Sequence, residues 1–128
     1  MNRTMTSKTK PQFRSTHSRD FDGNRHVWNV ERLWPQAADL PVKQVPLAQI
    51  AELDEDSWFC GKPPTIRAVA DHCRRIMNAD LEQPIILNAD GSLMDGGHRV
   101  ARAYLEGRET LPAVQFPTMP EPDAVEPL

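Results

Sequence analysis

The run Met94-Asp95-Gly96-Gly97-His98-Arg99-Val100-Ala101-Arg102-Ala103-Tyr104-Leu105-Glu106-Gly107 constrains this chain more than any other stretch, because two adjacent glycines separate strand-like residues from a helical pattern. Upstream, Pro84-Ile85-Ile86-Leu87-Asn88 reads as a short strand, Ala89-Asp90-Gly91 as hairpin turn chemistry, and Ser92-Leu93-Met94 as the returning strand. A helix begins with backbone N–H groups that have no partner within it, and its aligned peptide dipoles place partial positive charge at that end. An anion is therefore stabilised there, and glycines let it approach the backbone. His98 and Arg99 add side-chain donors, the arginine as a planar fork suited to phosphate oxygens. Asp95 reads either as the helix N-cap or as a partner for Arg99 one turn later. The same turn also occurs in folds that bind nothing, with Arg99 simply paired to a carboxylate.

With 128 residues, 39% of them hydrophobic, the chain has material for one small domain with a modest core. Its ends differ from its middle. Residues 1–26 lack apolar periodicity and read as a disordered basic tail, net +4 up to Arg25. Residues 117–128 read as a Pro-rich acidic tail whose Glu121, Asp123 and Glu126 give net −3. With −3 for the whole chain, the middle carries −4, a poor electrostatic match for a nucleic-acid backbone. No apolar run approaches the roughly 20 residues of a membrane span, and no signal-peptide core follows the N-terminal charges. Cys60 and Cys73 are too few for a disulfide framework, so a reducing, cytoplasmic setting is expected.

Within residues 27–116, Asn29 to Leu40 has helical spacing, with Pro35 opening its second part, and Lys43 to Leu47 reads as a strand followed by a short helix to Leu53. From Thr65, residues Ile66, Val69, Ala70, Cys73, Ile76 and Met77 describe the apolar face of a helix, opposite Arg67, Asp71, Arg74 and Arg75. That face is expected in the core, with Cys73 a buried small hydrophobe and His72 at the core edge. Asp54-Glu55-Asp56 reads as a solvated loop leading into Ser57-Trp58-Phe59-Cys60-Gly61, whose aromatics read as core anchors or a lid over the helix start, ahead of a base-stacking platform. Leu111 to Phe116 supplies a closing strand, and Gly107 the preceding helix stop. The order helix, strand, helix, hairpin, helix, strand predicts an α+β domain with a small mixed sheet. His17, His26, His72 and His98 lack metal-ligand spacing in the sequence, so no transition metal is expected.

The residues from Gln83-Pro84-Ile85-Ile86 through Asp90-Gly91, Asp95-Gly96-Gly97-His98-Arg99, Ala103, Gly107 and Leu111-Pro112-Ala113-Val114 resemble the ParB/sulfiredoxin superfamily, in its small ParB-like nuclease-domain branch. Val45 to Ile50 is similar to that family's opening strand and turn, and Thr65 to Ile76 to the helix before its Gln-Pro-Ile strand. The resemblance covers Lys43 to Phe116 and implies a single ParB/sulfiredoxin-like domain, a small mixed sheet packed with helices. It places Gly96, Gly97, His98 and Arg99 at the box that reads Gly-Glu-Arg-Arg in ParB proteins, where it grips CTP phosphates. In sulfiredoxins the box reads Gly-Cys-His-Arg, its histidine and arginine helping to bind ATP. Gly97 stands where the sulfiredoxin cysteine would be, so the reductase nucleophile is missing. Lys62 and Thr65 are similar to a lysine and serine that sulfiredoxins also use, although Thr65 is equally a helix N-cap.

The resemblance and the helix start lead to the same expectation. A nucleoside triphosphate or diphosphate with Mg²⁺, or another phosphate-bearing small molecule, is held by Gly96, Gly97, His98 and Arg99 with Lys62 and Thr65, and Asp95 is the nearest carboxylate for the metal. The chain is then a regulatory or partitioning-related binding module, with a protein partner as a further expectation. The alternative is a nuclease or nucleotide-dependent phosphotransferase using His98 and Arg99, with Asp95 or Asp71 as base. Direct DNA binding is not expected: in chromosome-partitioning proteins a helix-turn-helix region follows this domain, whereas here about a dozen residues follow Phe116.

Overall fold

Ile85, Ile86 and Leu87 are apolar in succession, the pattern of a strand covered on both faces, and all three are buried. The computed structural model describes residues 16–128. They divide into two units, one formed by residues up to Trp34 together with Glu121–Leu128, the other by Pro35–Pro120.

In the first unit, β1 (Thr16–Phe21) and β2 (Asn24–Asn29) form an antiparallel hairpin, and β7 (Ala124–Pro127) adds antiparallel to β2. Asp22 and Gly23 have φ of 59° and 78°, the paired left-handed conformations of a two-residue hairpin turn. The Asp123 carboxylate accepts from the Asn29 backbone N–H and the Arg32 Nε, both at 2.6 Å. Both expected tails are thus corrected in part: residues 16–26 and 124–127 are paired in a sheet, while residues 1–15 lie outside the described residues. The ladder satisfies the polar backbone of a hairpin whose side chains show no apolar alternation.

In the second unit a four-stranded mixed sheet has the order β3-β6-β4-β5. Strands β3 (Lys43–Pro46) and β6 (Thr110–Gln115) are antiparallel, β6 and β4 (Ile85–Leu87) parallel, and β4 and β5 (Leu93–Asp95) antiparallel. The β4–β5 register runs from Ile86↔Asp95 to Leu87↔Leu93, so Met94 is the extra residue of a bulge just before the helix start. Helix α3 (Gly97–Leu105) packs Val100 and Ala103 into a core with Val45, Leu47, Ile50, Ile85, Leu87, Leu111 and Ala113. It ends at Gly107, φ 73°, where the Gly107 and Arg108 amides donate to the Tyr104 and Ala103 carbonyl oxygens.

Helix α1 (Val30–Ala38) forms with Pro35 inside it, and two 3-10 turns at Leu47–Gln49 and Ala51–Asp54 stand where one short helix was expected. Helix α2 (Ile66–Met77) has the expected bounds and a Thr65 N-cap, whose Oγ1 accepts from the Ala68 N–H at 3.1 Å. Its orientation differs from expectation, for no residue of α2 is buried and Cys73 is exposed. The reason is positional: α3 takes the sheet face, and α2 packs on α3, shielding Ala68, Asp71, His72 and Ile76 only partly. Among the described residues the architecture is α+β, with three α-helices and two sheets.

Candidate functional site

Gly96 is the N-cap of α3 at φ 115° and itself offers no side chain to the first turn. A Cβ there would lie 2.6 Å from Ile85 Cγ2 and 3.3 Å from Ile85 Cα, so both the backbone conformation and the packing on β4 demand glycine. The N-cap position thus falls on Gly96 and not on Asp95. Asp95 takes its other expected part, with Oδ2 3.4 Å from Arg99 Nη2. Gly97 is helical, and a Cβ on it would meet Trp58 Nε1 at 3.2 Å. The indole thus lies over the start of α3, as the lid reading expected.

Asp56 builds the loop that delivers Trp58. Its Oδ1 accepts from the Trp58 and Phe59 amides at 3.1 and 2.8 Å, and its Oδ2 from the Gly61 amide at 2.6 Å. Those bonds, Gly61 and Phe59 first, hold its carboxyl below the ordinary carboxylate value. Cys60 and Gly61 turn the chain back with φ of 54° and 75°. Of the acidic triplet expected to be solvated, Asp56 is a loop-building residue.

Beneath Trp58 lies a pair of histidines that sequence spacing does not associate. His72 Nδ1 on α2 and His98 Nε2 on α3 are 2.8 Å apart. The Trp58 ring stacks on both, with centroid distances of 4.5 Å to His72 and 4.6 Å to His98 and interplanar angles of 10°. Phe59 meets His72 edge-on at 5.3 Å. Burial first, then the neighbouring His72, Arg75 and Arg99, push His98 down to about 4, against the pull of Asp95. His72 is lowered by burial and by Arg75. The pair is neutral at pH 7, one ring nitrogen donating to the other.

Arg99 is largely committed. Its Nη1 donates to the Pro84 and Gln83 carbonyl oxygens at 2.6 and 3.3 Å, tying the approach to β4 onto α3. Thr65 is the α2 cap, Lys62 is exposed, and Asp71 is 3.3 Å from Arg74. The structure therefore brings Gly97, His98, His72 and Trp58 together at one helix start, with Arg99 facing structural carbonyls behind it.

Next to this start is a cavity of about 340 Å³ lined by Glu52, Leu53, Glu55, Asp56, Ser57, Trp58, Phe59, Leu93, Gly97, Val100 and Ala101. Its apolar and aromatic walls suit a planar group. Glu52 Oε2 already accepts from the Leu93 amide at 3.1 Å. No group of three or more metal-ligating side chains occurs among the described residues. No helix among them is long and apolar enough to cross a membrane. The chain matches no family model, no curated protein and no solved structure.

Proposed function

We propose that this chain is a binding module for a phosphate-bearing nucleotide, of the ParB/sulfiredoxin type that its sequence resembles. The observation that carries the reading is the glycine-led start of α3 beneath Trp58, at the edge of a cavity with aromatic walls. The positive end of the helix dipole favours an anion, glycines let it approach the backbone, and the indole N–H beside Gly97 is a further donor. The cavity suits the ring of the nucleotide, with Trp58 and Phe59 as its aromatic wall and Glu55 as an acceptor at its rim. The strand, turn, helix, hairpin, helix and strand between Lys43 and Gln115 follow the order that the resemblance implies. Mg²⁺ would accompany the phosphates, with Glu55 at the cavity and Asp95 behind the turn as nearby carboxylates.

The geometry favours a module over an enzyme. His98 is neutral and bonded to His72, and Arg99 is turned to backbone carbonyls, so neither is poised as base or phosphoryl clamp. Titration with CTP, ATP, ADP and GTP, with and without Mg²⁺, tests the reading. Saturable binding that weakens in Trp58→Phe, which keeps an aromatic ring but lacks the indole N–H, is expected. Failure of all four to bind at millimolar concentration, or binding indifferent to Trp58→Phe, would overturn it. Product release from the same mixtures would replace the module by the enzyme.

A further inference from the structure

Helix α2 turns the wrong face to water. Ile66 is 92% exposed, Met77 72% and Val69 43%, and Ala70 and Cys73 are exposed with them. Their spacing of three, one, three and four residues puts all five on one stripe of a 12-residue helix. A solvated helix normally points such a stripe at a core, and here α2 makes its packing contacts with α3 through the neighbouring face. The helix is firmly placed despite this. Thr65 caps its start, and Arg102 of α3 donates to the Ile76 and Met77 carbonyl oxygens at its end. A rigid, capped helix with an apolar stripe in water is a preformed half of a helix–helix contact.

The charges choose the other half. Arg67 and Arg74, seven residues apart, line one side of the stripe, and α2 carries three arginines against one aspartate. In a twofold antiparallel pairing of two copies, the Arg67–Arg74 side of one helix faces the same side of the other, placing like charges across the seam. A helix with Glu or Asp flanking its own apolar stripe meets the same surface with opposite charges. We propose that the α2 face is the docking surface for an amphipathic helix with acidic flanks supplied by another protein. It is independent of the nucleotide reading, because none of the stripe residues lines the cavity beside α3.

The probe is a synthetic helical peptide with leucines at heptad core positions and glutamates flanking them, compared with the same peptide carrying lysines in place of glutamates. Fluorescence anisotropy should show saturable binding of the glutamate peptide and weaker binding of the lysine peptide. Ile66→Glu should weaken the first interaction by about tenfold or more, and the double variant Arg67→Glu, Arg74→Glu should reverse the preference. Both variants alter exposed side chains, so unchanged circular dichroism is expected and separates lost docking from lost folding. Equal binding of the two peptides, or no effect of Ile66→Glu, overturns the proposal. So does a concentration-dependent dimer of the chain alone that Ile66→Glu dissociates, since the occupant would then be a second copy.

Discussion

Gly96 and Gly97 are neighbours with different duties, and substitution separates them. Alanine at Gly96 places a Cβ against Ile85 and holds a non-glycine residue at φ 115°. Backbone strain and overpacking together should cost about 2–4 kcal/mol, read as a lower urea midpoint with unchanged slope. Alanine at Gly97 has a permitted helical backbone and meets only the Trp58 indole at 3.2 Å. Its expected effect is a shifted Trp58 with stability nearly preserved, seen as altered ring-current shifts of the His72 and His98 protons. Equal destabilisation by both substitutions would contradict this division. The need for a special backbone was legible from the glycine pair. Which glycine would touch β4 and which the indole was not, because that depends on the bulge at Met94 and on a loop forty residues upstream.

At the scale of elements, α2 and α3 bring together two histidines 26 residues apart, and the loop between Asp56 and Gly61 lays an indole over them. Asp56→Ala removes the acceptor of three amide donors while leaving the Thr65 cap of α2 as before. The loop should then loosen selectively. Faster proteolysis between residues 56 and 62 is expected, with loss of the Trp58 stack and a retained far-UV spectrum. A resistant loop would mean that Trp58 and Phe59 anchor it unaided. Periodicity made the element bounds legible here, since α2 starts after Thr65 and α3 stops before Gly107 as their capping chemistry requires. It misplaced the apolar face of α2 because amphipathicity states that a face seeks a partner without stating that the partner lies in the same chain. The β1–β2 hairpin was missed for the opposite reason: Asp22-Gly23 is strong turn chemistry, but Thr16 to Phe21 has no apolar alternation beside it.

For the molecule as a whole, the half-buried histidine pair couples folding to pH with a definite sign. His98 titrates at about 4 when folded and at 6.5 unperturbed, and His72 is shifted in the same direction. Between these values the unfolded chain binds more protons than the folded one, so stability rises with pH. The contribution is fully present above pH 6.5 and is lost as pH falls toward 4. Asp56, Glu106 and Asp123, whose carboxyls are held below their ordinary values of 3.8, 4.5 and 3.8, act with the same sign but in a lower window. Their part is lost only as those carboxylates protonate, leaving the interval above about pH 5 to the histidines. Partial exposure of His98 screens the effect, which should amount to about 1–2 kcal/mol by pH 4.5. Urea melts at pH 7, 6 and 5 on the wild type and on the double variant His72→Gln, His98→Gln provide the test. Wild-type stability should fall across this interval while the variant stays level, and parallel slopes would show that the imidazoles charge as readily folded as unfolded.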